Sequence, residues 1–475
     1  MHGKPEALLT QYDQFLQSKR IVVNPTGIDD PPTLHPRLFP FQRDLTRWAL
    51  RRGKAALWAG TGLGKSAMAI EWSRVVADHT GMPVLILTPL AVADQFVAEA
   101  AKLNIELVHA RELGDAAMLT VTNYERLHKF DATKFGGVVL DESSCLRDYT
   151  SKTRNQLIEL FGRTQFRLCC SATPAPNDYM ELGNHAEFIG AMTRAEMLAM
   201  FFVHDGGETQ KWRLKGHAAR DFWTWLASWA VNVNHPSALG YDDRNYDLPP
   251  LTIRQHVVSV DTATIAHEQG LLWAADARTL NDQRAAKRAS LNERVALVAD
   301  MVNGSREPWV VWCQLNDESV ALSESIHDAV EVSGAMSLDE KEERLNGFAT
   351  GKYRVLVSKA SIAGWGLNWQ HCARMCFAGI DHSFESMYQA IRRCWRFGQT
   401  RPVDVHVVLS EQEIAVLENL KRKEADAERL TAEMGAHMAP VTRASLGMMV
   451  RTETTYAPMV DMMIPRWLRT EEVTT

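Results

Sequence analysis

Residues Ala59–Ser66 read AGTGLGKS, and what lies on either side of them decides the fold. Upstream, AALWA is a short apolar run of the kind that forms a buried strand, and downstream SAMAIEWSRVVA carries a helical pattern. A glycine-rich turn between a buried strand and a helix lets backbone N–H groups curl around an anion. The helix N-terminus then adds a favourable dipole. Gly60, Gly62 and Gly64 supply the turn, with Ala59 where such loops usually carry their first glycine. Lys65 is placed to reach the β- and γ-phosphates of a nucleoside triphosphate, and Ser66 to ligate Mg²⁺.

A second element fits the first. In GVVLDESS the strand-like run Gly137–Leu140 delivers Asp141 and Glu142 at its C-terminal end, where ligands sit in α/β sheets. A hard cation wants carboxylate oxygen, which suits Asp141 as a second Mg²⁺ ligand. Glu142 is then placed to orient and deprotonate an attacking water.

Outward from these motifs, apolar runs alternate with helical patterns: VLILTP, MLTVTNY and FRLCCSATP join the two already quoted. That rhythm predicts a parallel sheet covered on both faces. A second such unit begins at LPPLTIRQHVVSVD, with WVVWC, VLVS, ARMCFAG and VDVHVVL as its runs. The expected architecture is α/β, two parallel-sheet lobes in tandem with a helical insertion and a helical C-terminal extension. The expected boundaries are a turn-rich lead-in segment over 1–35, lobe 1 over 36–190, and a helical tryptophan-bearing insertion over 191–247. Lobe 2 follows over 248–410, with a basic helical stretch at 277–294, and a helical, then polar extension over 411–475. At 475 residues the chain is long enough for two cores.

Bulk properties exclude more than they assign. With 46% hydrophobic and 23% charged residues the chain has the make-up of an ordinary globular protein. A formal net charge of −6 argues against a chain coated with basic residues but leaves room for a local basic groove. The seven cysteines follow no disulfide-module spacing and suit a reducing compartment; Cys372 and Cys376 lack the second pair that a zinc site needs. No apolar run approaches the roughly 18 residues of a membrane span, and the first residues lack a signal-peptide layout. The expectation is a cytoplasmic, monomeric protein with no membrane partner; its compactness alone points to a bacterial cell or a phage-infected host.

Once these elements are placed, residues 36–410 resemble the superfamily 2 helicases, and within them the Snf-type, remodeller-like translocases. The resemblance rests on ordered motifs. LFPFQRDLTRWAL is similar to the first motif of the family, whose glutamine reads adenine, and points to Gln42. LILTPLAVADQF and VTNYERL resemble the strand-end motifs that contact a nucleic-acid backbone, which points to Thr88 and Asn123. DESSCLRDYTSKT matches an acidic pair followed by a basic residue and a later Ser-Lys. CSATPAPNDYMELGN resembles the motif that couples nucleotide to nucleic acid, centred on Ser171 and Thr173. SGAMSLDEKEERLNGF, VLVSKASIAGWGLNW and SMYQAIRRCWRFGQTRPVDVHVV then follow in family order. There the resemblance implies nucleotide contacts from Gly366 and Gln389, nucleic-acid contacts from Gly364 and Asn368, and arginine fingers at Arg393 and Arg396.

The resemblance implies two RecA-like lobes with ATP and Mg²⁺ between them, acting as an ATP hydrolase on DNA. Fingers are needed because charge on the γ-phosphoryl oxygens must be neutralised in a dry site, which a planar guanidinium does with paired N–H groups. Translocation on double-stranded DNA, or its remodelling or unwinding, is the expected output. Two other readings stay open: a helicase stimulated by RNA or single strands, and an ATP-gated nucleic-acid clamp with little turnover. The chain departs from the family at Ser143-Ser144, where a small residue and a histidine are usual, and in SATP, which is nearer to general helicases than to remodellers. A small-molecule kinase would leave the second lobe without a purpose.

Three segments read two ways. Trp212, Trp223, Trp225 and Trp229 either stack bases or pack a helical protrusion onto lobe 1, the latter being favoured. Arg284, Lys287 and Arg288 either line a duplex track or form a solvated helix face. The alternating charges of 421–428 mark a surface helix, expected to pack back on lobe 2.

Overall fold

The computed structural model of the protein describes residues 22–90, 92–175, 177–204, 212–243, 246–259, 288–363, 367–381 and 383–447. Lobe 1 is a seven-stranded parallel sheet. Its strands are β1 (Lys54–Ala59), β2 (Val84–Thr88), β3 (Val108–His109), β4 (Leu119–Asn123), β5 (Gly137–Asp141), β6 (Phe166–Ser171) and β9 (Ala230–Val233). They lie in the order β3-β4-β2-β5-β6-β1-β9. β2, β4, β5 and β6 are buried along their whole length, which is why they read as continuous apolar runs rather than as alternating ones.

Helices α1 (Pro40–Arg52), α2 (Lys65–Thr80), α3 (Ala93–Lys102), α4 (Lys152–Phe161) and α5 (Leu182–Ile189) cover the sheet. Helix α2 starts where Gly64 takes a left-handed conformation. It stops at Gly81, also left-handed, whose N–H bonds Ala77 O.

Lobe 1 runs past the expected boundary at 190. Beyond it come α6 (Arg194–Phe201), the antiparallel pair β7 (Phe202–His204) and β8 (Trp212–Leu214), α7 (Ala219–Ala227) and then β9, which pairs with β1 in register Ala56↔Ala230. The tryptophans explain why this stretch is part of the lobe. Trp225 and Trp229 are fully buried, and Trp229 meets Trp58 of β1 edge-on at 5.5 Å. Aromatic burial against the sheet, not base stacking, accounts for them.

Lobe 2 is a six-stranded parallel sheet in the order β10-β15-β14-β11-β13-β12. Its strands are β10 (Leu251–Val258), β11 (Trp309–Cys313), β12 (Ala329–Val332), β13 (Val355–Lys359), β14 (Arg374–Phe377) and β15 (Val403–Ser410). Around it lie α8 (Leu291–Asn303), α9 (Asn316–Ser325), α10 (Leu338–Ala349), the short α11 (Ala360–Ala363) and α12 (Phe384–Ile391). Helix α10 is opened by a capping box, Ser337 Oγ accepting from Glu340 N–H while the Glu340 carboxylate accepts from Ser337 N–H. One hydrophobic cluster covers a face of each sheet and runs continuously from lobe 1 into lobe 2.

The last helix, α13 (Ile414–Ser445, 32 residues), does not simply fold back on lobe 2 as its charges suggest. Val416, Leu417 and Leu420 join the core shared with lobe 2, while Met434 and Met438 are buried in the core of lobe 1. There Tyr179 O–H donates to the Glu433 carboxylate (2.8 Å) and His437 stacks on Trp223. Among the described residues, no helix is long and apolar enough to cross a membrane.

Candidate active site

Three of the lobe-1 motifs stand at the carboxyl ends of strands. Ala59 closes β1 and leads into the loop, Asp141 closes β5, and Ser171 closes β6, and these three strands are neighbours. The loop takes its shape from two glycines at positive φ, Gly62 (90°) and Gly64 (77°). A Cβ on Gly64 would lie 2.2 Å from Gln42 Nε2, so the glutamine rests directly on the loop. Gln42 donates to Leu63 O (3.0 Å) and accepts from Phe39 N–H (2.9 Å). Lys65 lies 9% exposed, its ammonium donating to Ala59 O (2.8 Å) and Gly60 O (3.3 Å).

Lobe 2 closes the opposite wall. A cavity of about 870 Å³ is lined by Gln42, Gly62, Gly64, Lys65, Ser66, Asp141 and Glu142 from lobe 1 and by Asn368, Arg393, Arg396 and Phe397 from lobe 2. Arg393 is 2% exposed and held in place: its guanidinium donates to Leu367 O (3.0 Å), Gln389 O (2.9 Å) and Gln389 Oε1 (2.9 Å). Arg396 donates to Leu367 O (3.1 Å), while its Nε is buried without a partner.

The electrostatics bring two carboxylates, a lysine and two arginines together with little solvent. Burial, then the neighbouring Glu142 carboxylate, pushes Asp141 up to about 7 against the pull of Lys65, Arg393 and Arg396. Burial pulls Lys65 below the ordinary lysine range. Burial and the adjacent Arg393 bring Arg396 down to about 10. Glu142 Oε2 is buried with no hydrogen-bond partner, and its backbone is left-handed at φ 52°. A polyanion with a divalent cation fits this set: it would give both arginines and Lys65 a counter-charge and give Asp141 a cation to ligate. Ser66 and Asp141, hydroxyl and carboxylate oxygens on the same cavity, are a suitable donor pair for Mg²⁺.

Other expected residues fall elsewhere. Gln389 is 1% exposed and does not line the cavity; it bonds Arg393 and donates to Thr173 Oγ1 (3.2 Å) across the lobes. Asn368 lines the nucleotide cavity rather than an outer nucleic-acid surface. Ser171 is fully buried and accepts from Thr173 N–H (3.1 Å). Thr88 and Asn123, expected to meet a nucleic-acid backbone, are both fully buried. Asn123 donates to Pro89 O (3.2 Å) and accepts from Arg126, which reaches Glu342 (2.8 Å) and Asp339 (2.9 Å) of lobe 2. Asn123 is thus tied into that contact between the lobes, while Thr88 lies within the lobe-1 sheet, its Oγ1 donating to Thr122 O at 3.4 Å. Arg288 is exposed just ahead of α8. Gly364, Gly366, Arg284 and Lys287 lie outside the described residues.

The structure adds residues that the sequence reading did not single out. Phe397 presses on the loop, since a Cβ on Gly62 would lie 2.5 Å from its Cβ. Arg392 donates to Thr61 O (3.4 Å), its guanidinium 5.0 Å from the Trp395 ring. Both lie within the stretch QAIRRCWRFGQ, beside Arg393 and Arg396, which was the available signal. His185 of α5 contacts Ser143 Oγ (3.2 Å), and nothing in its own sequence context marked it.

Part of the chain matches a known family, and longer stretches resemble named proteins. The family model described as "Helicase conserved C-terminal domain" matches residues 293–398. The chain is 23% identical over 415 residues to the Xenopus tropicalis protein named SWI/SNF-related matrix-associated actin-dependent regulator of chromatin subfamily A-like protein 1, covering 79% of this chain and 42% of the relative. It is 21% identical over 423 residues to the Mus musculus protein named DNA annealing helicase and endonuclease ZRANB3, covering 80% and 39%. The chain thus spans about two fifths of the length of these relatives. The solved Sulfolobus solfataricus SWI2/SNF2 ATPase core in complex with dsDNA aligns at a TM-score of 0.40 and 16% identity, covering 87% of this chain and 96% of the other.

Proposed function

We propose that this chain, a superfamily 2 helicase of the Snf type, is a nucleic-acid-stimulated ATPase that couples hydrolysis to movement on, or remodelling of, double-stranded DNA. One observation carries the reading: Arg393 and Arg396 of lobe 2 line the same cavity as the phosphate loop, Asp141 and Glu142 of lobe 1. A simple binding loop has no use for two guanidiniums delivered from a second lobe.

In this reading the N–H groups of Gly62 to Lys65 and the N-terminus of α2 hold the triphosphate, and Lys65 swings from the loop carbonyls onto it. Gln42 and Phe39 border the base. A magnesium ion held by Ser66 and Asp141 would neutralise phosphate charge as the bond breaks. Glu142, with one oxygen free of partners, accepts the proton of the attacking water. Arg393 and Arg396 meet the charge that develops on the transferred group. Because they belong to the other lobe, turnover requires the closed cleft seen here. Nucleic acid would reach Asn123 only in an arrangement where the Arg126 contact with Glu342 and Asp339 is parted.

Steady-state ATP hydrolysis, measured without nucleic acid and then with duplex DNA, single-stranded DNA and RNA, tests this, with Lys65→Ala as control. Stimulation mainly by duplex DNA supports the translocase. Stimulation only by RNA or single strands moves the assignment to a single-strand helicase, and slow turnover despite tight nucleic-acid binding moves it to a clamp.

A further inference from the structure

Glu142 sits on the turn Glu142–Arg147, and both ends of that turn are held by one short helix of the same lobe. His185 of α5 contacts Ser143 Oγ at 3.2 Å, and its neighbour Asn184 donates to Arg147 O at 2.6 Å. Arg147 Nε in turn donates back to Ser144 O (2.9 Å). A left-handed backbone at a glutamate persists only where the surroundings over-determine it, and these bonds are what does so.

The Arg147 guanidinium then leaves its own lobe. It forms an ion pair with Glu385, in the first turn of α12, whose carboxylate is 7% exposed. Glu385 also accepts from Thr173 Oγ1 (3.4 Å). One turn further along α12, Gln389 donates to the same Thr173 oxygen and accepts from Arg393. A continuous set of polar contacts therefore runs from the turn that aims Glu142 to the helix that holds the finger. A buried carboxylate is costly without its partner, so α12 can settle here only with Arg147 in place. Equally, docking of α12 adds a charged partner to an Arg147 whose Nε and carbonyl are already bonded within lobe 1.

We propose that Arg147 and Glu385 are a pair of positioning residues that make the aim of Glu142 depend on lobe closure. This rests on the reading of the cleft as an ATPase site. Neither residue touches the nucleotide cavity; each acts through another, Arg147 through the turn and Glu385 through Thr173 and Arg147. The Ser143-Ser144 departure gains a physical meaning, because the imidazole that this turn lacks in sequence is supplied at Ser143 by His185 from another helix.

The test compares Arg147→Gln, Glu385→Gln, the double variant and the reversed pair Arg147→Glu/Glu385→Arg in the full chain. ATP hydrolysis gives kcat and KM, and equilibrium binding of a fluorescent ATP analogue gives affinity, with a thermal melt to show folding. Each single variant is expected to lower kcat roughly 5- to 150-fold, the span of a coupling between sites. Affinity should stay within about twofold, as befits an interaction realised only on closure. The double variant should be no worse than the weaker single, and the reversed pair should recover part of the loss. Losses that multiply in the double variant, a loss confined to KM, or unchanged kcat in folded single variants would each overturn the joint. A wild type with no turnover would instead overturn the ATPase reading itself, and the two failures are told apart by the wild-type rate alone.

Discussion

Replacing Gly62 by alanine separates closing the cleft from binding in it. At φ 90° an L-residue carries a backbone penalty of about 1–2 kcal/mol, present whether the lobes are open or closed. The new Cβ would also lie 2.5 Å from Phe397 Cβ and 3.0 Å from Phe397 N. Carbon atoms rest at about 3.5–4.0 Å, so the Phe397 segment must retreat by about 1 Å. A rotamer change cannot relieve this, because the clashing atoms are backbone and Cβ. Arg396 precedes Phe397 and moves with it, and a displacement of that size at a reacting group costs about 100-fold in rate. Gly64→Ala is the matched control. Its Cβ would meet Gln42 Nε2 at 2.2 Å, the end of a side chain in the same lobe, which can swing away at the expense of the bond to Leu63 O. Steady-state kinetics with nucleotide-binding titrations should show Gly62→Ala losing mainly kcat and Gly64→Ala losing mainly affinity. If the two variants fail in the same way, or if Gly62→Ala keeps its kcat, Phe397 does not set the position of the finger.

Other outcomes follow from the same geometry. Lys65→Ala should abolish turnover, while Arg396→Ala should leave nucleotide binding intact and lower hydrolysis about 10³- to 10⁵-fold; a normal rate in the latter would remove Arg396 from the mechanism. Burial holds His185 at about 4 against an ordinary 6.5, so between those values the folded chain binds fewer protons than the unfolded one. Stability is then lost as pH falls from about 6.5 towards 4, at about 1.4 kcal/mol per pH unit for this group. Urea unfolding of His185→Gln across that range should show a slope flatter by that amount, and an unchanged slope would mean that the imidazole is not held neutral. Met434→Ala with Met438→Ala should cost less than the ~2–5 kcal/mol expected per truncated core methionine, because α13 can lift off lobe 1 instead of leaving cavities. Hydrogen exchange would then accelerate over 430–445 and not over 414–420; equal acceleration along the helix would refute separate anchoring.

The nucleotide side of the cleft was legible because its chemistry is written in contiguous residues. The loop needs glycines beside a lysine, and the acid pair needs a buried strand before it, so Gly62, Gly64, Lys65, Asp141 and Glu142 could be read with their neighbours alone. The parallel sheets were legible for the same reason: strands buried on both faces leave unbroken apolar runs. What stayed hidden depends on two distant segments meeting. Nothing beside Glu385 announces Arg147, and nothing beside His185 announces Ser143. Thr88 and Asn123 lie at strand ends as the motifs imply, yet both are buried, and Asn123 is bonded by an Arg126 that itself reaches Glu342, 216 positions further along the chain. Strand β9 was missed because the tryptophans around it obscured a run of only 4 residues, AVNV, that pairs with β1 at the edge of the sheet.

Helix α13 shows how a local pattern can be read correctly and still mislead. Lys421 to Leu430 is mostly exposed, as its alternating charges require, and only Ala427 in that run is buried. The anchors lie outside it: Val416, Leu417 and Leu420 on one side, Met434 and Met438 on the other. A solvated middle between two buried ends is what a helix looks like when it spans a gap, and 32 residues make a rod about 48 Å long. Docked at one end in the core shared with lobe 2 and at the other in the core of lobe 1, the rod ties the two lobes together, and truncating Met434 and Met438 would remove one of its two anchors.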